Sequence, residues 1–107
     1  MICVEDGLDA LKWVESLGGT KELVNISNQN LKIVEDWIEK SDNFKFMCKD
    51  KNIRSSTSIT VLIKDEWFTK HNEEDQRGVL KKLFSLLEKE SVANDINGYP
   101  KAPPSIR

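Results

Sequence analysis

The sequence predicts an α+β fold: a two-layer α/β sandwich with helices packed on one face of a small, mostly antiparallel sheet. Three observations predict it. Apolar residues recur at helical spacing in three long segments. A β-branched run at 56–64 follows a shorter alternating run at 44–49, and their separation suits an antiparallel pair. The resulting order is α-α-β-β-α-β, the last strand being an extended piece at Ser105-Ile106-Arg107.

The first helix is expected over residues 5–17. Val4, Leu8, Leu11, Val14 and Leu17 form its stripe, and Glu5, Asp9, Lys12 and Glu15 take other faces. Glu5 and Asp6 stand where the helix dipole favours acids. Gly18-Gly19 should end it, because glycine tolerates the left-handed conformation, and Thr20 is the expected N-cap of the next helix.

That second helix should run from Lys21 to Lys40, with Leu23, Ile26, Val34, Trp37 and Ile38 inward and Ile33 beside them. Its middle, Asn25, Ser27, Asn28, Gln29 and Asn30, is made mostly of poor helix formers. It reads as a solvated face; the other reading is a face meeting another domain through side-chain amides. Ser41-Asp42-Asn43 and Asp50-Lys51-Asn52 are turns around the 44–49 strand. In the 56–64 strand, Ile59, Val61 and Ile63 share one face, and Thr60 and Leu62 the other.

Residues 65–73 read as a connection whose Trp67 and Phe68 cover an edge of the core. The clearest helix is Glu74 to Ser91, carried by Leu80, Leu83, Phe84 and Leu87 and opened by acids from Glu73 to Asp75.

Composition narrows the function classes. The chain has 107 residues, room for one domain. A net charge of −2 argues against a dedicated nucleic-acid binder. No apolar run approaches the ~20 residues of a bilayer span. The first residues, Met1-Ile2-Cys3-Val4-Glu5-Asp6, lack the charged and apolar regions of a signal peptide, so a cytoplasmic location is expected. Cys3 and Cys48 have no metal-ligand spacing and read as buried free thiols. His71, among charged neighbours, reads as an exposed surface histidine. No set of residues supports a metal site, a phosphate loop or a nucleophile elbow.

The end of the chain stands apart. The stiff Pro103-Pro104 pair leads directly into Ser105-Ile106-Arg107. From the local residues alone this reads as a polar tail with an exposed arginine; the other reading is an arginine whose planar fork must meet a carboxylate in a defined geometry.

A resemblance bears on this choice. The segment from Met1-Ile2-Cys3-Val4-Glu5-Asp6 to Gly7-Leu8-Asp9-Ala10-Leu11-Lys12-Trp13 resembles the passage from the large to the small domain in phosphoserine aminotransferases. Ile53-Arg54-Ser55-Ser56-Thr57-Ser58 resembles the entry to the first long strand of their small domain. Leu86-Leu87-Glu88-Lys89-Glu90 with Asp95-Ile96 resembles the final helix and its exit. Gly98-Tyr99-Pro100-Lys101-Ala102-Pro103-Pro104-Ser105-Ile106-Arg107 resembles the substrate-binding arginine segment, in the branch with the pattern Gly-x-Tyr-x-x-Ala-Pro-Pro-x-x-Arg.

The resemblance covers essentially the whole chain and implies a fold-type-I, class-V aminotransferase. Such an enzyme is a homodimer using pyridoxal 5'-phosphate. It interconverts 3-phosphohydroxypyruvate and glutamate with O-phosphoserine and 2-oxoglutarate in serine biosynthesis. Residues 1–107 would form its C-terminal small domain, with 1–17 the connecting helix from a large domain outside this chain. The Schiff-base lysine would lie in that large domain. No lysine here stands in a matching motif, so no catalytic residue is assigned, no cofactor is expected to bind the chain alone, and the chain alone is expected to be inactive.

Arg107 matches the arginine that grips the substrate α-carboxylate. Where the bacterial branch has a His-Arg pair for substrate phosphate, this chain has Tyr99-Pro100 and then Lys101, leaving Tyr99 and Lys101 as candidate phosphate contacts. Arg54 matches a family position and is expected to be structural. Two other readings remain: the small domain of a related alanine or glyoxylate aminotransferase, and a free-standing interaction module using the Asn-rich helix.

Overall fold

The local signals that build each element are confirmed in a computed structural model describing residues 1–107, with several boundaries and burials corrected. Helix α1 is Ile2–Ser16, starting three residues before the expected bound. Its apolar stripe is not buried: Leu8 and Leu11 are exposed and only Val14 is half-buried. The reason is geometric, since α1 packs chiefly against α2 and nothing covers its other faces. Cys3, in its first turn, is therefore exposed, contrary to the buried thiol expected there; Cys48 is half-buried, and both are free.

Gly18 and Gly19 both have positive φ, at 107° and 79°, and separate α1 from α2, Gly19–Lys40. Gly18 occupies the N-cap position with no side-chain cap, so Thr20 does not cap this helix as expected. The glycine pair makes the break, leaving Thr20 already inside the helical run. Ile38 is buried, and Leu23, Ile26, Leu31 and Val34 are half-buried, so Leu31 joins the stripe, whereas Trp37, expected inward, is exposed. Asn25, Asn28, Gln29 and Asn30 are exposed along an unbroken helix, as a solvated face should be.

The sheet is antiparallel but short. β1, Phe44–Phe46, pairs with β2, Val61–Ile63, in the register Phe44↔Ile63, Lys45↔Leu62, Phe46↔Val61. Single bonds from Met47 N to Thr60 O and from Lys64 N to Asn43 O extend the ladder at each end. The expected strand over 56–64 loses its first half because the Ser55 hydroxyl accepts the amides of Thr57 and Ser58, bending the chain there. A short 3₁₀ turn, Lys51–Ile53, capped by Asp50, links the strands.

Three expectations for 65–73 change. A helical turn, α3, Glu66–Thr69, forms under an Asp65 cap. Phe68 is buried, but Trp67 is 60% exposed and does not cover the core edge. His71 is half-buried rather than exposed: its Nδ1 lies 2.7 Å from the Trp67 carbonyl and its ring packs edge-on against Trp67. Helix α4, Glu73–Lys89, is capped by Asn72, whose side chain accepts the Asp75 amide at 2.9 Å. It stops two residues before the expected Ser91, which has a positive φ of 55° that a helix cannot continue through.

The last extended piece forms as expected. Ile106 bridges antiparallel to Val61 on one side and to Asn97 on the other. Directly paired residues share a sheet face, so Phe44, Phe46, Val61, Ile63 and Ile106 look the same way. Trp37 of α2 and Leu83 and Leu87 of α4 meet Phe44, Val61 and Ile106 around an apolar cavity of about 310 Å³. Both long helices thus lie over one face of the sheet, the expected two-layer arrangement.

Only Ile38, Val61, Phe68, Leu80 and Ser105 are buried, and none of them completely. The radius of gyration, 17.1 Å, exceeds the ~13 Å of a compact domain of this length. The α1 arm accounts for this, carrying exposed apolar residues away from the sheet. No helix is long and apolar enough to cross a membrane.

Candidate functional site

The residues singled out at the end of the chain come together in a closed arm. The arm leaves α4, passes Ile96 and Asn97, turns through Gly98–Pro104 and returns beside its own start. The amide of Arg107 donates to Ile96 O at 3.0 Å, and Ile106 exchanges bonds of 2.8 and 2.9 Å with Val61. Arg107 is therefore presented by strand pairing. The Pro103-Pro104 pair shapes the approach, but the bridge at Ile106 fixes the position.

Gly98 is required where the arm crosses itself. A Cβ there would lie 2.5 Å from Ser105 Oγ and 3.0 Å from Ser105 O. Ser105 is buried against this glycine, and its hydroxyl has no hydrogen-bond partner.

The Arg107 guanidinium lies over the Tyr99 ring, 4.5 Å from its centroid. The aromatic face attracts the cation and narrows its range of orientations while leaving its N–H fork free. Arg107 is half-buried and has no carboxylate partner within the chain. A free, aromatic-supported guanidinium on a fixed backbone can bind a carboxylate bidentately. Tyr99 is 63% exposed, so its hydroxyl end remains open to a ligand. Lys101 is exposed at the turn and makes no ion pair, so it contributes only a mobile positive charge.

Arg54 contrasts with Arg107. Its Nε and Nη2 donate to Cys48 O at 3.2 and 3.0 Å, its Nη1 pairs with Glu35, and its guanidinium sits 3.6 Å above Phe46. With 6% of its side chain exposed and its donors engaged, Arg54 ties α2 to the strands and has no fork to offer a ligand.

Arg77 was not singled out from the sequence. From α4 it pairs with Glu73 and donates from Nη2 to Ala102 O at 2.6 Å, gripping the arm's turn. The Glu73–Arg77 spacing was readable as an i,i+4 pair. The bond to a carbonyl 25 residues further on was not. Beside it, Leu80, Lys81, Tyr99, Pro104 and Ser105 help to line an open cleft of about 280 Å³.

The residues present do not fit a pyridoxal phosphate site. All thirteen lysines are exposed. Lys81 and Lys82 line clefts that are open to solvent rather than enclosed. No three histidine, cysteine or acidic residues gather as metal ligands.

Comparison with known proteins gives a consistent result. The chain is 40% identical over all 107 of its residues to a phosphoserine aminotransferase of Methanosarcina barkeri and 39% identical to that of Methanosarcina mazei. In each case it spans 26% of the relative's length. No protein-family model matches the chain, and no solved structure matches it. From its first residue to its last, this chain is a relative of about a quarter of the phosphoserine aminotransferase polypeptide.

Proposed function

We propose that residues 1–107 are the C-terminal small domain of a phosphoserine aminotransferase, with 1–17 connecting them to a large domain. The full enzyme would convert 3-phosphohydroxypyruvate and glutamate to O-phosphoserine and 2-oxoglutarate, as a homodimer. Pyridoxal 5'-phosphate would supply the electron sink, held by residues outside this chain. The observation that carries the reading is the unpaired Arg107 guanidinium resting on Tyr99 at the end of a strand-paired arm.

The role of this domain is then to bind and orient. Arg107 grips the substrate α-carboxylate with two parallel N–H bonds, which fixes the attitude of the substrate Cα. Tyr99 limits guanidinium motion, so less freedom is lost when substrate arrives. Lys101 and the Tyr99 hydroxyl are the candidates for substrate phosphate. The exposed apolar face of α1 supports a covering domain in the longer polypeptide.

Arg107→Ala in the full-length enzyme tests the clamp. KM for glutamate and for O-phosphoserine should each rise about tenfold or more, since a charge-assisted bidentate contact is lost. Unchanged KM for both removes the clamp. Higher activity with alanine than with O-phosphoserine would reassign the substrate to a related aminotransferase. A borohydride-reducible aldimine on a lysine of residues 1–107 would overturn the division of labour.

A further inference from the structure

We infer that Arg77 is a positioning residue for Arg107, acting through the turn that carries Tyr99. The inference rests on the reading of Arg107 as a carboxylate clamp and adds a residue outside the arm to it. Between Gly98 and Pro104, the hydrogen bond from Arg77 Nη2 to Ala102 O, 2.6 Å, is the one that leaves the loop. The Ala102 peptide is held at both ends, because its amide donates to Tyr99 O at 3.0 Å and closes the turn. Tyr99 thus takes its place from a turn anchored to α4, and its ring supports the Arg107 guanidinium at 4.5 Å.

Arg77 is suited to this task. Its Nη2 and Nε reach Glu73 at 2.6 and 3.2 Å, which sets the plane of the fork before the loop is engaged. Glu73 is one turn back on the same helix, so the pair narrows the orientations open to the fork. A lysine could meet Glu73 or Ala102 O but lacks the fixed fork that serves both together. The link runs from α4 through Arg77, the Ala102 carbonyl and the Tyr99 ring to the guanidinium. Arg77 itself touches no substrate.

The test is steady-state kinetics of the full-length enzyme carrying Arg77→Ala, Arg77→Lys, Glu73→Gln, Arg107→Ala and the Arg77→Ala/Arg107→Ala pair, with thermal melts alongside. Arg77→Ala should raise KM for glutamate and O-phosphoserine roughly 5- to 20-fold while kcat stays within about twofold. Arg77→Lys should restore part of that loss, and Glu73→Gln should raise KM by roughly two- to threefold. In the Arg107→Ala background, removing Arg77 should change KM little, because nothing is left to position.

An equal KM increase in both backgrounds would mean that Arg77 only holds the fold, and overturns the inference. So does normal KM in Arg77→Ala when Arg107→Ala is impaired. If Arg107→Ala itself leaves KM unchanged, the clamp reading fails and takes this inference with it. Should Arg77→Ala not fold, Arg77→Lys and Glu73→Gln decide: normal KM in both overturns the role.

Discussion

The body around the sheet and the α1 arm are built from equally regular sequence, yet they are held by different forces. In the body, Leu80 and Phe68 are each 4% exposed, Arg54 joins α2 to the strands, and Arg77 joins α4 to the arm. In α1, fifteen residues form a complete helix with none buried. Periodicity specifies a helix and a face; it does not supply the surface that face will meet. An isolated helix of this length is marginal in water, so α1 depends on tertiary contact. Within this chain that contact is chiefly α2, and the rest would come from the covering domain proposed above.

The sharpest way to break this contrast is a matched pair of truncations. Leu80→Ala should destabilise the chain by about 3 kcal/mol, through lost burial and a residual cavity. Leu11→Ala should change it by less than about 0.5 kcal/mol, as expected for an uncovered position. Urea denaturation of both variants checks the two values. A Leu11 loss comparable to that at Leu80 would mean α1 is already covered, for instance by self-association, which sedimentation would reveal. In a longer polypeptide with α1 covered, Leu11→Ala should instead approach the Leu80 value.

Arg54→Ala probes the anchor between α2 and the strands. It strands the Cys48 carbonyl and the partly buried Glu35, and should lower stability by about 2–3 kcal/mol. Glu35 keeps some solvent contact, with 21% of its side chain exposed, so the effect should be smaller than for a fully enclosed pair. Arg107→Ala should leave the melting temperature nearly unchanged. Equal melting losses would mean that the two arginines do the same work.

Gly98→Ala should lower stability by about 2 kcal/mol, because the new methyl collides with Ser105 where the arm crosses itself. At the small end, Asn72→Ala should lose about 1 kcal/mol of capping energy, while Thr20→Ala should be close to neutral. Thermal melts compare them directly, and a Thr20 effect as large as that at Asn72 would restore the cap that the structure moves to Gly18.

Much of the fold was legible because its determinants are local. The Leu80, Leu83, Phe84, Leu87 stripe found α4, and the β-branched run found β2. The errors fall where a non-local or competing contact decides. Ser55 captures two amides and shortens a strand that propensity alone would extend. Cys3 and the α1 stripe look like core residues and are exposed, because amphipathicity is silent about what lies opposite. The site was legible in its members but not in its support. Arg107 and Tyr99 were found through a resemblance in the final ten residues, and Arg54 was set apart as structural through a resemblance at the entry to the strand. Arg77 has no local signature beyond an ordinary helical ion pair, since its partner is a carbonyl at Ala102 that only the fold brings near.

The double pairing of Ile106 has a mechanical consequence. One residue carries bonds to Val61 on one side and stands beside Asn97 on the other, so a tug on Arg107 loads both neighbours in shear at once. Antiparallel bonds lie across the direction of such a pull and must slip together rather than open one after another. A ligand drawing on that arginine would meet a stiff mount, and any strain it applied would pass into β2 instead of being absorbed by the tail.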